Sequence, residues 1–149
     1  MALVRILTYT ILLVGFACSK SKSPPQKSGV HRIVTLTPSA TDLVVALGDV
    51  HKIVGRDQYS TEPPAMKDIP VVGDFVSPNV ELIAALAPDL VVLDEAQDKT
   101  IASLSALDLP SVSVEMHDLE DLHRGLETVG AALGRVQEAK RAQERINGI

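Results

Sequence analysis

The sequence predicts an α/β domain, an open parallel sheet sandwiched by helices. Three observations predict it. Strand-like and helix-like segments alternate from His31 to the end of the chain, the pattern of repeated βα units. Leu90-Val-Val-Leu93 is apolar at every position, as a parallel strand covered on both faces requires. Leu119, Leu122, Leu126, Val129, Leu133 and Val136 recur at spacings of 3, 4, 3, 4 and 3, which lays one buried stripe along a helix.

Arg32-Ile-Val-Thr-Leu36 is β-branched and apolar, hence the first strand. Thr37-Pro38 ends it. Ser39-Ala-Thr-Asp42 has the hydroxyl and carboxylate spacing of a capping box, and Leu43, Val44, Ala46 and Leu47 continue as a helix stopped by Gly48. Lys52-Ile-Val-Gly55 is a second short strand, followed by a loop over 56–70 that is long for a compact domain. Val71-Val72-Gly73 reads as a further short strand. Ser77 at a cap and Pro78 at the first helical position start a helix over Asn79–Ala87 with Leu82, Ile83 and Leu86 on one face. Pro88-Asp89 breaks it ahead of the Leu90–Leu93 strand. A helix over 97–107 and a strand over Ser111–Val114 follow. Asp118 caps the long helix of the apolar stripe, which continues through the charged stretch from Arg135 to Arg145 and stops at Asn147-Gly148-Ile149.

In an open sheet of this kind ligands sit outside the carboxyl ends of the strands. The loops there are 37–40, 56–63, 73–77 and 94–97.

The chain has 149 residues and 15.9 kDa, enough for one ordinary domain of roughly 100–200 residues. With 46% apolar and 22% charged residues it is neither collagen, nor coiled coil, nor wholly disordered. Aromatics are only 3%, so the core must be aliphatic. A net charge of −5 without a basic patch argues against a nucleic-acid partner. A lone cysteine rules out an internal disulfide and any cysteine-based zinc finger.

That cysteine, Cys18, follows an almost unbroken apolar run from Ile6 to Ala17, with Arg5 ahead of it. The run has the length of a signal-peptide core and is too short to span a bilayer, which takes about 20 residues. Small or apolar residues before the Cys resemble the lipobox of bacterial lipoproteins, with Ala17 at the cleavage position and Gly15 where Leu is usual. Residues 1–17 are therefore expected to be a lipoprotein signal peptide and Cys18 the lipidated residue; a plain secretory signal or anchor is the alternative. Residues 18–30 are polar, carry adjacent prolines and no periodicity, and read as a flexible tether. The expected location is the periplasm or cell surface, held to a membrane through the lipid.

Catalytic chemistry is not in evidence. There is no GxSxG elbow, Walker A loop or HExxH. His31, His51, His117 and His123 fall on different elements without metal-ligand spacing and read as surface or interface histidines, so no metal and no cofactor is expected. A phosphorelay receiver would need an acidic pair after the first strand, where Thr37-Pro38 stands. Asp94-Glu95 reads as two solvated loop carboxylates. Binding suits the loops better: Ser39 opens a helix whose free N–H groups favour polar or anionic ligand atoms. Tyr59 and Phe75 fall on loops of the ligand edge, where each either stacks on a flat or macrocyclic ligand or covers the rim of the core.

Several strings carry a resemblance. They are Arg32-Ile-Val-Thr-Leu-Thr-Pro-Ser-Ala-Thr-Asp42, Val54-Gly55 with Tyr59 and Pro63-Pro64, Val72-Gly73-Asp74-Phe75, and Pro78-Asn-Val-Glu-Leu-Ile-Ala-Ala-Leu-Ala-Pro-Asp-Leu-Val-Val92. Together they resemble the substrate-binding proteins of ABC importers for vitamin B12, haem and iron–siderophores, the class in which one long helix joins two lobes. The resemblance covers about residues 31–146 and implies a Rossmann-like lobe over 31–134. It implies that Pro38, Ser39 and Ala40 form the first ligand loop and that Tyr59, Asp74 and Phe75 line the cleft, Phe75 standing where B12-binding members tend to carry Trp. Glu81 matches a glutamate that pairs with arginines of the permease. The helix over 135–149 resembles the start of the bridging helix, truncated, without the second lobe. The implied role is the non-enzymatic substrate-binding component, N-terminal lobe, of an ABC importer for cobalamin or an iron chelate such as haem or a ferric siderophore. Its partners would be the permease, the small-molecule ligand and the membrane, with no nucleic acid. A stand-alone α/β regulatory or interaction domain is the alternative.

Overall fold

The computed structural model describes residues 29–148. Cys18, the expected signal segment and most of the expected tether lie outside the described residues.

Four parallel strands, β1 (Ile33–Thr35), β2 (Ile53–Gly55), β3 (Leu90–Asp94) and β4 (Ser111–Val114), form one sheet in the order β2-β1-β3-β4. Period-2 alternation sorts their side chains onto two faces. Ile33, Leu90 and Val92 meet α1 (Pro38–Ala46), α4 (Leu119–Leu133) and α5 (Val136–Asn147) in the larger core. Val34, Val91 and Leu93 meet Ile83 of α2 (Val80–Ala85) and Leu104 of α3 (Asp98–Ala106) in the smaller one. The fold is thus an open parallel sheet sandwiched by helices, as the alternation of elements predicts. The β3 positions Leu90 to Leu93 are all buried, which accounts for their unbroken apolar run. β4 is an edge strand, and its Ser111 and Ser113 face solvent.

β1 connects to β2 through α1 on one face, while β3 connects to β4 through α3 on the other. The direction of winding therefore reverses between the neighbours β1 and β3. The crevice outside their carboxyl ends is where such sheets bind ligands.

Several local expectations change. The cap of α1 is Thr37, not Ser39: its backbone is extended (φ −146°, ψ 156°), its hydroxyl accepts the Ala40 N–H, and Pro38 takes the first helical position. The fixed φ of Pro38 suits that position, which moves the helix start ahead of the expected capping box. Val71–Gly73 is not a strand but a single bridge from Val71 to Arg56. Gly73 at φ +119° turns the chain away, and a Cβ there would lie 2.5 Å from the Ser77 carbonyl. The cap of α2 is Asn79, two residues beyond the expected Ser77, because the Asn79 side chain accepts the Leu82 N–H at 2.9 Å.

The largest difference lies at the end of the apolar stripe. One continuous helix is expected through Arg145, but α4 stops at Gly134, in the left-handed conformation at φ +69°. α5 then runs back along α4, with the Gln143 amide donating to the His123 carbonyl (3.1 Å) and to Glu127 (3.0 Å). Val136 consequently leaves the stripe and is 48% exposed, and Leu119, ahead of the packed turns, is 56% exposed. α5 buries Ala139 and Ala142 instead. Among the described residues no helix is long and apolar enough to cross a membrane.

Candidate functional site

The carboxyl ends of the strands carry the loops that the sequence singles out. Pro38 is exposed and Ser39 half-buried at the start of α1, beside the β1–β3 crevice. Ala40 faces the core with no exposed surface, and its amide is held by Thr37. Pro38 has no N–H, so most of the anion-binding capacity expected of this helix start is already used.

Tyr59 stands on a loop built around Asp57. The Asp57 carboxylate is buried and accepts the backbone N–H groups of Tyr59 (2.7 Å) and Ser60 (3.2 Å) and the Ser60 hydroxyl. Arg56 is buried beneath and donates to the Met66 carbonyl (2.7 Å) and the Asp57 carbonyl (2.9 Å), which gathers the long 56–70 segment. The Phe75 loop has the same logic. Asp74 accepts the Val76 and Ser77 N–H groups at 2.9 and 2.8 Å on one oxygen and the Gln58 amide at 3.2 Å on the other. Gln58 also donates its backbone N–H to the Gly73 carbonyl at 2.9 Å. The two aromatic loops are therefore tied to each other, and the Asp74 carboxylate serves as the knot.

The rings themselves are open. Tyr59 is 66% exposed and Phe75 44%, next to Val76 at 84%. They are the only Phe, Tyr or Trp in residues 29–148, so every aromatic ring of the described domain stands on the ligand edge and none fills the core.

Electrostatically the edge is acidic. Burial, followed by the charge of nearby Asp57, pushes the Asp42 carboxyl of α1 up from its ordinary value. Glu95, expected to be simply solvated, shares a hydrogen bond with Glu115, and this contact, more than burial, raises its pKa. Asp94 accepts the Ala96 N–H at 2.9 Å and so shapes its own turn. The residues that sequence reasoning missed are Arg56, Asp57, Ser60 and Gln97. The Asp57-x-x-Ser60 spacing is a legible turn signal. Gln97 left none. A cavity of about 290 Å³ opens beside Phe75, lined by Val76, Gln97, Lys99 and Thr100. A second, more apolar groove of about 340 Å³ runs between α1 and α4, from Ser39 and Asp42 to Leu122 and Ile146. Glu81 lies away from both, exposed in the first turn of α2. The four histidines remain dispersed, and among the described residues no cluster of three metal-ligating side chains forms.

Known proteins place this geometry in context. A family model described as a periplasmic binding protein matches residues 33–149. A high-affinity haem uptake system protein of Staphylococcus aureus (strain Newman) is 26% identical over 149 residues, 98% of this chain and 50% of that protein. Among solved structures, a periplasmic haem-binding protein from Pseudomonas aeruginosa superposes with a TM-score of 0.74 at 30% identity, over 80% of this chain and 44% of that one. A periplasmic haem-binding protein from Roseiflexus sp. RS-1 gives 0.73 at 30% identity, over 80% and 47%. A periplasmic vitamin B12-binding protein of Vibrio cholerae gives 0.73 at 24% identity, over 80% and 48%, a likeness of fold. The chain spans about half the length of the relatives it matches.

Proposed function

The chain belongs to the periplasmic binding protein family, and from that premise we propose that it is the N-terminal lobe of the substrate-binding component of an ABC importer. The ligand is cobalamin or an iron chelate such as haem or a ferric siderophore. The observation that carries this reading is the placement of both aromatic rings, Tyr59 and Phe75, on exposed loops at the carboxyl edge while the core is wholly aliphatic. A flat or macrocyclic ligand covers such rings and recovers the apolar burial that the fold forgoes.

In this reading the ligand rests on Pro38 and Ser39, on Tyr59 and on Phe75. Ala40 and Asp74 act by shaping their turns. The protein is not an enzyme: it holds, carries and releases. Glu81, exposed on α2, pairs with arginines of the permease, and lipid on Cys18 holds the domain at a membrane facing the periplasm or cell exterior. Cys18→Ser should release the protein from the membrane fraction; retention there, with no lipid mass on Cys18, contradicts the anchor.

The ligand reading is tested by titrating the chain with cyanocobalamin, hemin and a ferric siderophore. One of them should bind with a Kd of the order of micromolar or weaker, since the lobe covers one face of the ligand. Tyr59→Ala and Phe75→Ala should each weaken it. Silence with all three, or binding indifferent to both substitutions, rejects the reading.

A further inference from the structure

Gln97 opens α3 at the carboxyl end of β3, on the crevice where the sheet reverses its winding. The position is a helix cap, yet its side chain makes no capping bond to α3. Instead it is buried, 5% exposed, and bridges two loops. Its amide oxygen accepts the Asp94 N–H at 3.1 Å, and its amide nitrogen donates to the Phe75 carbonyl at 2.8 Å. A residue that leaves its own helix without a side-chain cap in order to hold a neighbouring loop is not explained by helix stability.

The surroundings say what the bond does. Asp74 and Gln58 fasten the aromatic loops to each other, and the Val72 N–H donates to the Arg56 carbonyl at 2.8 Å, so these bonds tie the Phe75 loop to the Tyr59 side and not to β3. The Gln97 bonds fasten Phe75 itself to the end of β3, an interior strand of the sheet. The cavity of about 290 Å³ beside Phe75 gives the loop somewhere to fall if they are lost. We infer that Gln97 is the positioning residue that sets where Phe75 stands on the ligand edge. This rests on the binding reading above for its consequence, though not for its geometry.

The test uses the full chain. Gln97→Glu keeps an acceptor for the Asp94 N–H but places an oxygen where the Phe75 carbonyl needs a donor. Gln97→Met, of similar length, removes both bonds. In each variant amide exchange should rise at Phe75–Ser77, and in Gln97→Met at Asp94 as well, while the rest of β3 and α3 keep their protection. Affinity for whichever of cyanocobalamin, hemin or the ferric siderophore binds should fall about tenfold, as the loss of one hydrogen bond that orients a contact group. In a Phe75→Ala background Gln97→Glu should cost nothing further, because Gln97 acts through Phe75. Unchanged exchange at 75–77, or losses that simply add, overturns the inference. If none of cyanocobalamin, hemin and the ferric siderophore binds the wild type, the ligand reading falls by itself, and exchange at 75–77 still decides the role of Gln97.

Discussion

The Asp49 cluster and the aromatic loops hold their carboxylates in different ways. At the amino end, charge meets charge. The Asp49 side chain is fully buried and is gripped by the Arg135 fork, with Nη2 to Oδ1 at 2.6 Å, and by Lys52 at 3.0 Å. Arg32, just ahead of β1, donates to the Leu86 carbonyl at 2.7 Å and closes the end of α2. At the carboxyl end the carboxylates of Asp57, Asp74 and Asp94 accept backbone N–H groups instead, and the apolar side chains face outward. The first arrangement closes a surface; the second holds loops still while leaving their rings open. Closing the fold and leaving rings open are thus separated in space.

Breaking the closed end should give the largest effect. Asp49→Ala is expected to cost about 3 kcal/mol, the low end for a buried pair because both cations left behind can turn toward water. Chemical denaturation measures it, and exchange in the 57–60 and 73–77 loops should not change. The pH dependence follows from the same contact. Burial alone would raise the Asp49 carboxyl, but the bonds from Arg135 and Lys52 outweigh it and hold the pKa below the ordinary 3.8. The contribution is therefore complete above that value and lost as pH falls through the depressed one. Asp49→Asn should flatten the acid limb of the stability curve below about pH 4 and leave its shape above pH 5 unaltered.

Gly130 tests how firmly the α4–α5 turn is closed. A Cβ there would lie 2.8 Å from that of Ala139. Gly130→Val should push α5 outward at a cost of about 2 kcal/mol, and exchange should rise along α5 first. A change in the aromatic loops as well would mean that the two ends are coupled.

At the open end the ordering reverses. Phe75→Ala should alter stability by no more than about 1 kcal/mol, since the ring is largely in water, while weakening ligand binding about tenfold. A large drop in melting temperature would show that the ring supports the core. Smallest of all in stability is Glu81→Arg, within about 0.5 kcal/mol for an exposed first-turn carboxylate. Under the proposed pairing with permease arginines, its effect falls on transporter association, most visible at low salt.

Much of this was legible in residue order. The alternation of strands and helices, the buried run at Leu90–Leu93 and the stripe through Leu122, Leu126, Val129 and Leu133 are local periodicities, and a period is a property of neighbours in sequence. The scarcity of aromatics and the positions of Tyr59 and Phe75 on loops could be read in the same way. The helix starts were displaced by one or two residues, because Thr37 competed with Ser39, and Asn79 with Ser77, for the same capping chemistry. The stripe ran on through Val136 because a left-handed Gly134 leaves no trace in apolar spacing. Tertiary structure alone decided the pairings that matter most. Arg135 meets Asp49 across 86 residues, and Gln97 meets the Phe75 carbonyl across 22. Neither partner is marked by its own neighbours. The order β2-β1-β3-β4 brings them together, since winding the chain around the sheet puts loops distant in sequence side by side at each end.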